Sequence, residues 1–367
     1  MAKSRYIMIG GFLGAGKTTA ILRLASFLQA KGQRVGLITN DQSTDLVDTA
    51  RARAQGHSVA EIAGGCFCCK FDSLVEAARE LSISSSPDVF LAEPVGSCTD
   101  LRATVAYPLK QLYGDDYEIA PLSVLVDPDR CAAVLGLGNG KSFSAKVIYI
   151  YRKQLEEADV IDVHKADLLT PEARESLVAA LSREFPRAKV LVASTLNGEG
   201  LETWYEELLG GDMVSTPAME VDYDEYAEGE ALLGWLNARG RLKATSEFDA
   251  GELLLGLARA LESRLRSSGI EIAHLKATLA PDESPELASV SITRSGEAPY
   301  LTHLVSSPIS SGQWMVNLRA EADPEILEAH VLDALSASPH RVAVEQVAAF
   351  RPGRPVPTHR LGEANAS

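Results

Sequence analysis

The chain has 367 residues, 46% of them hydrophobic and 23% charged, which is enough for a buried core and, by length, for two domains. A formal net charge of −15 argues against nucleic acid as the main partner, because a phosphate backbone calls for a basic face. The N-terminal residues run into only a few apolar positions before glycines, too few for a signal peptide, and no stretch nears the about 20 apolar residues that cross a bilayer. The expectation is a cytoplasmic protein without a membrane partner.

Over the first 210 residues, short apolar runs at 6–9, 35–39, 89–92, 122–126, 160–163 and 189–193 alternate with helix-like stretches at 18–30, 73–81 and 171–184. Strands buried on both faces read as continuous apolar runs. Their alternation with helices predicts an α/β fold: a mostly parallel sheet flanked by helices. Pro171 after Thr170 marks a helix start, with Thr170 as its cap. Residues 211–229 carry glycines, a proline and the acids Glu220, Asp222, Asp224, Glu225 and Glu228, and read as a solvated acidic linker. From 230 to 350 the pattern predicts a smaller α+β domain. Strands are expected at 231–242, 270–279, 288–293, 314–318 and 341–348, and helices at 249–267 and 324–336. That order is a ferredoxin-like β-α-β-β-α-β unit with one extra strand. Residues 351–367 read as an extended tail, and Trp235 and Trp314 as core.

Two clusters carry chemistry. Gly11-Phe-Leu-Gly-Ala-Gly-Lys-Thr18 follows an apolar strand and opens a helix, the setting of a phosphate-binding loop. Glycines let backbone N–H groups turn toward phosphate oxygens, and the helix dipole favours the anion. The expected contacts are Gly11, Gly14, Ala15, Gly16, Lys17, Thr18 and Thr19, with Lys17 on the β- and γ-phosphates and the Thr18 hydroxyl on Mg²⁺. Three of the five cysteines, Cys66, Cys68 and Cys69, follow Gly64-Gly65. Thiolates are soft ligands for zinc, Cu(I) or cobalt, and three of them leave a coordination position open, as a carrier needs. Small buried hydrophobes or a redox pair remain the alternatives. Cys98 and Cys131 stand alone and read as core.

Read together, several segments resemble the CobW-like family of P-loop GTPases, relatives of the UreG and HypB nickel-enzyme maturation GTPases. They are Gly10-Gly-Phe-Leu-Gly-Ala-Gly-Lys-Thr-Thr19, Thr39-Asn-Asp41, Gly64-Gly-Cys-Phe-Cys-Cys-Lys70, Glu93-Pro-Val-Gly96, Val126-Asp127 and the stretch from Gln154 to Leu168. The resemblance implies GTP hydrolysis with Mg²⁺ and delivery of zinc, cobalt or cobalamin to a client metalloenzyme or cobalamin-dependent enzyme. It places Asp41, where the family has Glu, and Glu93 around Mg²⁺ and the attacking water, with Asp48 as a weaker candidate, and Gly96 at the γ-phosphate. Lys17, Asp41 and Glu93 are thus the expected catalytic residues; Thr18, Asp41, Glu93, Cys66, Cys68 and Cys69 are the expected metal ligands. The family's Asn-Lys-x-Asp base-recognition motif reads His164-Lys165-Ala166-Asp167 here, with Ser194 in the last base-contact loop. His164 weakens the preference for guanine over adenine. Two rival readings are a GTPase that remodels or protects a corrinoid enzyme and a nucleotide-dependent scaffold without hydrolysis. A homodimer is left open, and the chain has no histidine-rich metal tail of the kind some members carry.

Overall fold

The computed structural model describes residues 3–41, 56–138 and 143–362. Two compact units divide the chain: Met1–Ala227 together with Pro355–Ser367, and Glu228–Arg354.

The first unit is built on an eight-stranded sheet in which every pairing is parallel. Its strands are β1 (Ser4–Gly11), β2 (Val35–Asp41), β3 (Ser58–Ala63), β4 (Val89–Glu93), β5 (Tyr117–Ile119), β6 (Ser123–Val126), β7 (Val160–Val163) and β8 (Lys189–Val192). The order is β3-β2-β4-β1-β6-β7-β8, with β5 also paired to β1. The apolar runs became β1, β2, β4, β6, β7 and β8. The sequence pattern passed over β3 and β5: β3 is a half-buried strand at the sheet edge and β5 has three residues, so neither leaves a continuous apolar signature. The helices are α1 (Lys17–Ala30), α2 (Phe71–Ser85), α3 (Tyr107–Tyr113), α4 (Pro128–Val134), α5 (Ala145–Glu157), α6 (Pro171–Glu184) and α7 (Leu201–Gly210), and α8 (Tyr223–Leu232) starts in this unit and runs past its boundary at Ala227. Thr170 caps α6 as expected, its hydroxyl accepting from the Ala173 N–H. The α1 face Leu24, Ala25 and Leu28 packs into one core with Ile7, Leu37 and Trp204. The Trp204 indole N–H is satisfied by Ser123 Oγ at 3.0 Å. Because the strands are parallel, their C-terminal ends lie along one edge, where α/β sheets bind ligands. That edge collects the loops after β1, β4, β6 and β7.

The segment expected to be a solvated linker is instead largely held on the first unit. Arg102 donates to the Val214 carbonyl at 2.6 Å, and the Thr216 N–H donates to Tyr107 Oη at 3.0 Å. Tyr226 is fully buried and its hydroxyl accepts from the Thr99 N–H at 3.2 Å. The aromatics Tyr223 and Tyr226, rather than the acids between them, decide where this stretch goes.

The second unit is a six-stranded antiparallel sheet of order β12-β11-β10-β13-β9-β14 with two helices. Its elements are β9 (Leu233–Phe248), α9 (Ala250–Ser267), β10 (Ile272–Pro281), β11 (Ala288–Ile292), β12 (Tyr300–His303), β13 (Ile309–Glu321), α10 (Pro324–Ser336) and β14 (Arg341–Phe350). The β-α-β-β-α-β frame therefore carries two additional strands rather than one. The unanticipated strand, β12, is a four-residue edge strand with no buried residue. On α9, Leu254, Ala258, Leu261 and Leu265 are buried at helical spacing, and Asp249 caps the helix by accepting from the Glu252 N–H at 2.8 Å. Trp235 and Trp314 are both buried, as expected for core aromatics.

Candidate functional site

The loop between β1 and α1 takes the shape its glycines permit. Gly11 leaves β1 at φ +130°, where a side chain would meet the Leu125 carbonyl 2.3 Å away. Gly14 and Gly16 also have positive φ, and Gly16 is the N-cap of α1. Ala15 is buried and its N–H bonds the Phe12 carbonyl at 3.1 Å. Lys17 is buried, and its ammonium folds back on the Gly11 and Phe12 carbonyls at 2.8 and 3.3 Å. Thr19, one helical position on from Thr18, is exposed. A residue the sequence reading missed holds the loop from outside. Arg130 on α4 donates to the Leu13 carbonyl at 3.0 Å, and its guanidinium lies 5.4 and 5.0 Å from the rings of Phe12 and Phe143.

The β4 end lies against this loop. Thr18 Oγ1 donates to Glu93 Oε1 at 2.9 Å, so the hydroxyl and carboxylate expected to share Mg²⁺ already meet. At Gly96 a Cβ would come within 2.9 to 3.1 Å of Leu13 side-chain and backbone atoms, so only glycine lets the two backbones pass this closely. Gln154 Nε2 on α5 fixes the segment by donating to the Gly96 and Cys98 carbonyls at 2.9 and 2.8 Å. Asp41 closes β2, but its side chain, like all of Asp48, lies outside the described residues. The neighbouring Asn40 is buried and donates to the Ile62 and Gly65 carbonyls at 2.9 and 2.6 Å, tying β2 to the loop that opens the cysteine motif.

After β7, His164 is 1% exposed, with Nδ1 2.8 Å from Asp162 Oδ2 and Nε2 3.4 Å from Thr195 Oγ1. Its ring lies beneath the phosphate loop: a Cβ on Gly16 would meet His164 Cδ2 at 3.1 Å. Lys165, in the left-handed region at φ +54°, donates to the Gly14 carbonyl at 2.9 Å and to Asp127 Oδ2 at 2.7 Å. Burial pushes the Asp127 carboxyl up, but Lys165 and Arg130 outweigh it and hold the group below the usual carboxylate range. Asp167 accepts from the Ser194 hydroxyl, so the two residues expected at the base are in contact.

The sulfurs of Cys66, Cys68 and Cys69 lie within 4.8 Å of one another, at 2.7, 3.2 and 3.7 Å pairwise. Tetrahedral zinc with bonds of about 2.3 Å sets its sulfurs about 3.8 Å apart, so the triangle needs to open by at most about 1 Å to admit the ion. Gly64 at φ +74° turns the chain into the motif, and the Cys69 and Lys70 N–H groups close on the Cys66 carbonyl at 3.1 and 2.9 Å. Hydrogen bonds from Cys68, Cys69 and Cys98 pull the Cys66 thiol well below its ordinary range, against the effect of burial. The interaction with Cys66 pushes Cys68 well up and Cys69 up to about 11. The tail also reaches the motif, which its composition did not foretell. The Thr358 N–H donates to the Cys68 carbonyl at 2.9 Å and the Val356 N–H to Cys69 Sγ at 3.2 Å. The His359 ring stands edge-on to Phe71 with centroids 5.0 Å apart, and Arg360 Nε donates to buried Asp100 at 2.7 Å.

The family model described as the CobW/HypB/UreG nucleotide-binding domain matches residues 5–192, more than half of the chain. The chain belongs to this family. Among its curated relatives, the zinc chaperone YeiR of Escherichia coli is 31% identical over 175 residues, 47% of this chain and 50% of the relative. The zinc chaperone CobW of Sinorhizobium sp is 26% identical over 211 residues, 52% of this chain and 59% of the relative. The chain thus spans between half and three-fifths of the length of these relatives. Among solved structures, the hydrogenase maturation factor HypB from Archaeoglobus fulgidus is similar with a TM-score of 0.41 and 22% identity, over 56% of this chain and 89% of that one. Among the described residues no helix is long and apolar enough to cross a membrane.

Proposed function

We propose that this chain is a GTP-hydrolysing metallochaperone that carries a transition metal on Cys66, Cys68 and Cys69. The observation that carries the reading is the wiring between two loops. The cysteine motif is tied to the end of β2 through Asn40, and β2 pairs with β4, whose last residue, Glu93, meets Thr18 of the glycine loop. Membership of a GTPase family and relatives named zinc chaperones support it.

In this reading the N–H groups of residues 11–19 cradle the phosphates and Lys17 swings from the Gly11 carbonyl to the β- and γ-phosphate oxygens. Thr18, Glu93 and Asp41 would hold Mg²⁺, which when bound neutralises phosphate charge. Glu93 and Asp41 orient the attacking water, and the Gly96 N–H reads the γ-phosphate. Lys165 covers the purine face while Asp167, steadied by Ser194, accepts from the guanine N–H donors. His164 takes the supporting place of the family's asparagine by bracing the loop from below. Hydrolysis rests on positioning and charge stabilisation, without a covalent intermediate. The metal is cargo, received by a set of soft thiols and passed to a client metalloenzyme or cobalamin-dependent enzyme.

The test is zinc and Co(II) titration with GTP turnover on one full-length sample. The account expects stoichiometric metal binding that the Cys66→Ala, Cys68→Ala, Cys69→Ala triple variant loses. Equal binding by the triple variant removes the thiolate-carrier reading.

A further inference from the structure

We propose that residues 355–361 form a strap that closes over the thiol cluster and gates the exchange of metal there. This rests on the metal-carrier reading and adds how the cargo enters and leaves. The tail follows the second unit in the chain but belongs to the first, so its bonds to the cysteine motif lie within one compact body. Of the three clustered cysteines, Cys66 and Cys68 are buried and Cys69 is partly exposed. An ion on its way to the three sulfurs therefore passes Cys69, and the tail lies on that residue. The Val356 N–H donates to Cys69 Sγ at 3.2 Å, and the Thr358 N–H donates to the Cys68 carbonyl at 2.9 Å.

Beyond the motif the strap is pinned. Arg360 donates through Nε to Asp100 Oδ2 at 2.7 Å and through Nη2 to the Met219 carbonyl at 2.8 Å, and the Leu361 N–H donates to the Ala103 carbonyl at 2.8 Å. Asp100 is 1% exposed, and the Tyr223 hydroxyl donates to the same Oδ2 at 2.7 Å. The pin is thus a charge-assisted bond to a buried carboxylate, stronger than a pair between two exposed groups. The span over the sulfurs is held lightly by comparison. Val356 is 69% exposed, Thr358 is exposed as well, and residues 351–362 form no helix or strand. A segment with few buried apolar contacts and exposed backbone bonds opens far more easily than the fold as a whole. A firm pin at Arg360 and a loose span at Val356 let the strap lift from Cys69 without leaving the protein. Lifting removes the N–H from the Cys69 sulfur and uncovers the side from which an incoming ligand reaches the ion.

The test is the speed of zinc uptake, and of zinc transfer to a chromogenic chelator, in the full chain. Val356→Pro removes the N–H and little else, because a residue between Pro355 and Pro357 is already held extended and its side chain is largely in water. Arg360→Ala removes the pin; it also leaves Asp100 buried without its cation, so Val356→Pro decides if that variant does not fold. Val356→Ala keeps the N–H and should behave as the parent. A gate speeds both directions and leaves the equilibrium nearly alone. Val356→Pro should therefore raise uptake and transfer about fivefold, and Arg360→Ala by more, with zinc affinity within about threefold of the parent's. Alkylation of Cys69 in the metal-free chain, located by mass spectrometry, should rise in the same order. Uptake and transfer equal to the parent's in the variants, with a parent that loads zinc, overturn the strap and leave the carrier reading standing. So does a fall in affinity with uptake unchanged, which makes the Val356 N–H a support for one ligand rather than a gate. A parent that binds neither zinc nor cobalt removes the carrier reading and the strap's role in metal exchange with it.

Discussion

The phosphate loop and the cysteine loop are organised differently. The first takes its shape locally: one strand, eight residues and a helix N-terminus supply it and its glycines set φ, while Arg130, Lys165 and Glu93 brace it from outside. The second is assembled. Cys66, Cys68 and Cys69 come from one turn, the Asn40 side chain that holds Gly65 from β2, and Val356 and Thr358 from the tail. A local site can be rigid in every state of the protein. An assembled site changes whenever one of its contributors moves, which is what a carrier that must release its cargo requires.

That contrast breaks first at Lys17. Lys17→Ala should lower GTP turnover on the order of a hundredfold to a thousandfold, read as phosphate release. Zinc affinity of the nucleotide-free protein should stay as in the parent, because the Lys17 ammonium bonds the Gly11 and Phe12 carbonyls of its own loop. A parallel fall in zinc affinity would mean the loops are not separately organised. Next comes Lys165→Met, which leaves Asp127 buried with its main counter-charge removed. The expected cost is about 3 kcal/mol in denaturant unfolding, with weakened nucleotide binding because the Gly14 contact is lost too.

The turn of the glycine loop and the sheet beneath it were legible in the sequence for the same reason: their information is contiguous. Apolar runs, glycine spacing and the Thr170–Pro171 helix start sit within a few residues of the structure they specify. What was not legible is long-range. Nothing near Arg130 in the sequence points to Leu13, and 355–361 read only as part of an extended tail. No local pattern announces a partner a hundred or more residues away. The acids of 211–229 misled because composition reports solvation, while two tyrosines set the packing.

Two smaller effects sharpen the same contrast. Asn40→Ala removes the bond that ties β2 to the start of the cysteine loop at Gly65, along with its bond to Ile62 of β3, and zinc affinity should fall about tenfold in a competition titration. An unchanged affinity would uncouple the loops on this side. Beneath the Cys98 segment, Glu157 accepts from Thr99 and from the Arg102 N–H, and burial raises its carboxyl to about 8. The native state then keeps a proton that the unfolded chain releases near pH 4.3, so stability falls as pH rises from about 4.3 to 8 and levels off above. Glu157→Gln should flatten that slope in thermal unfolding; an identical pH profile would place the group's proton elsewhere.

The central claim is that nucleotide state gates metal at the thiol cluster. The direct measurement is zinc affinity of the full chain with GDP and with a non-hydrolysable GTP analogue, in the same buffer with Mg²⁺. Coupling through Asn40, between the end of β2 and the cysteine loop, predicts affinities that differ by roughly fivefold or more, and by linkage an equal change in nucleotide affinity when zinc is bound. Identical zinc affinities in the two nucleotide states would contradict the account, whatever the protein's rate of GTP hydrolysis.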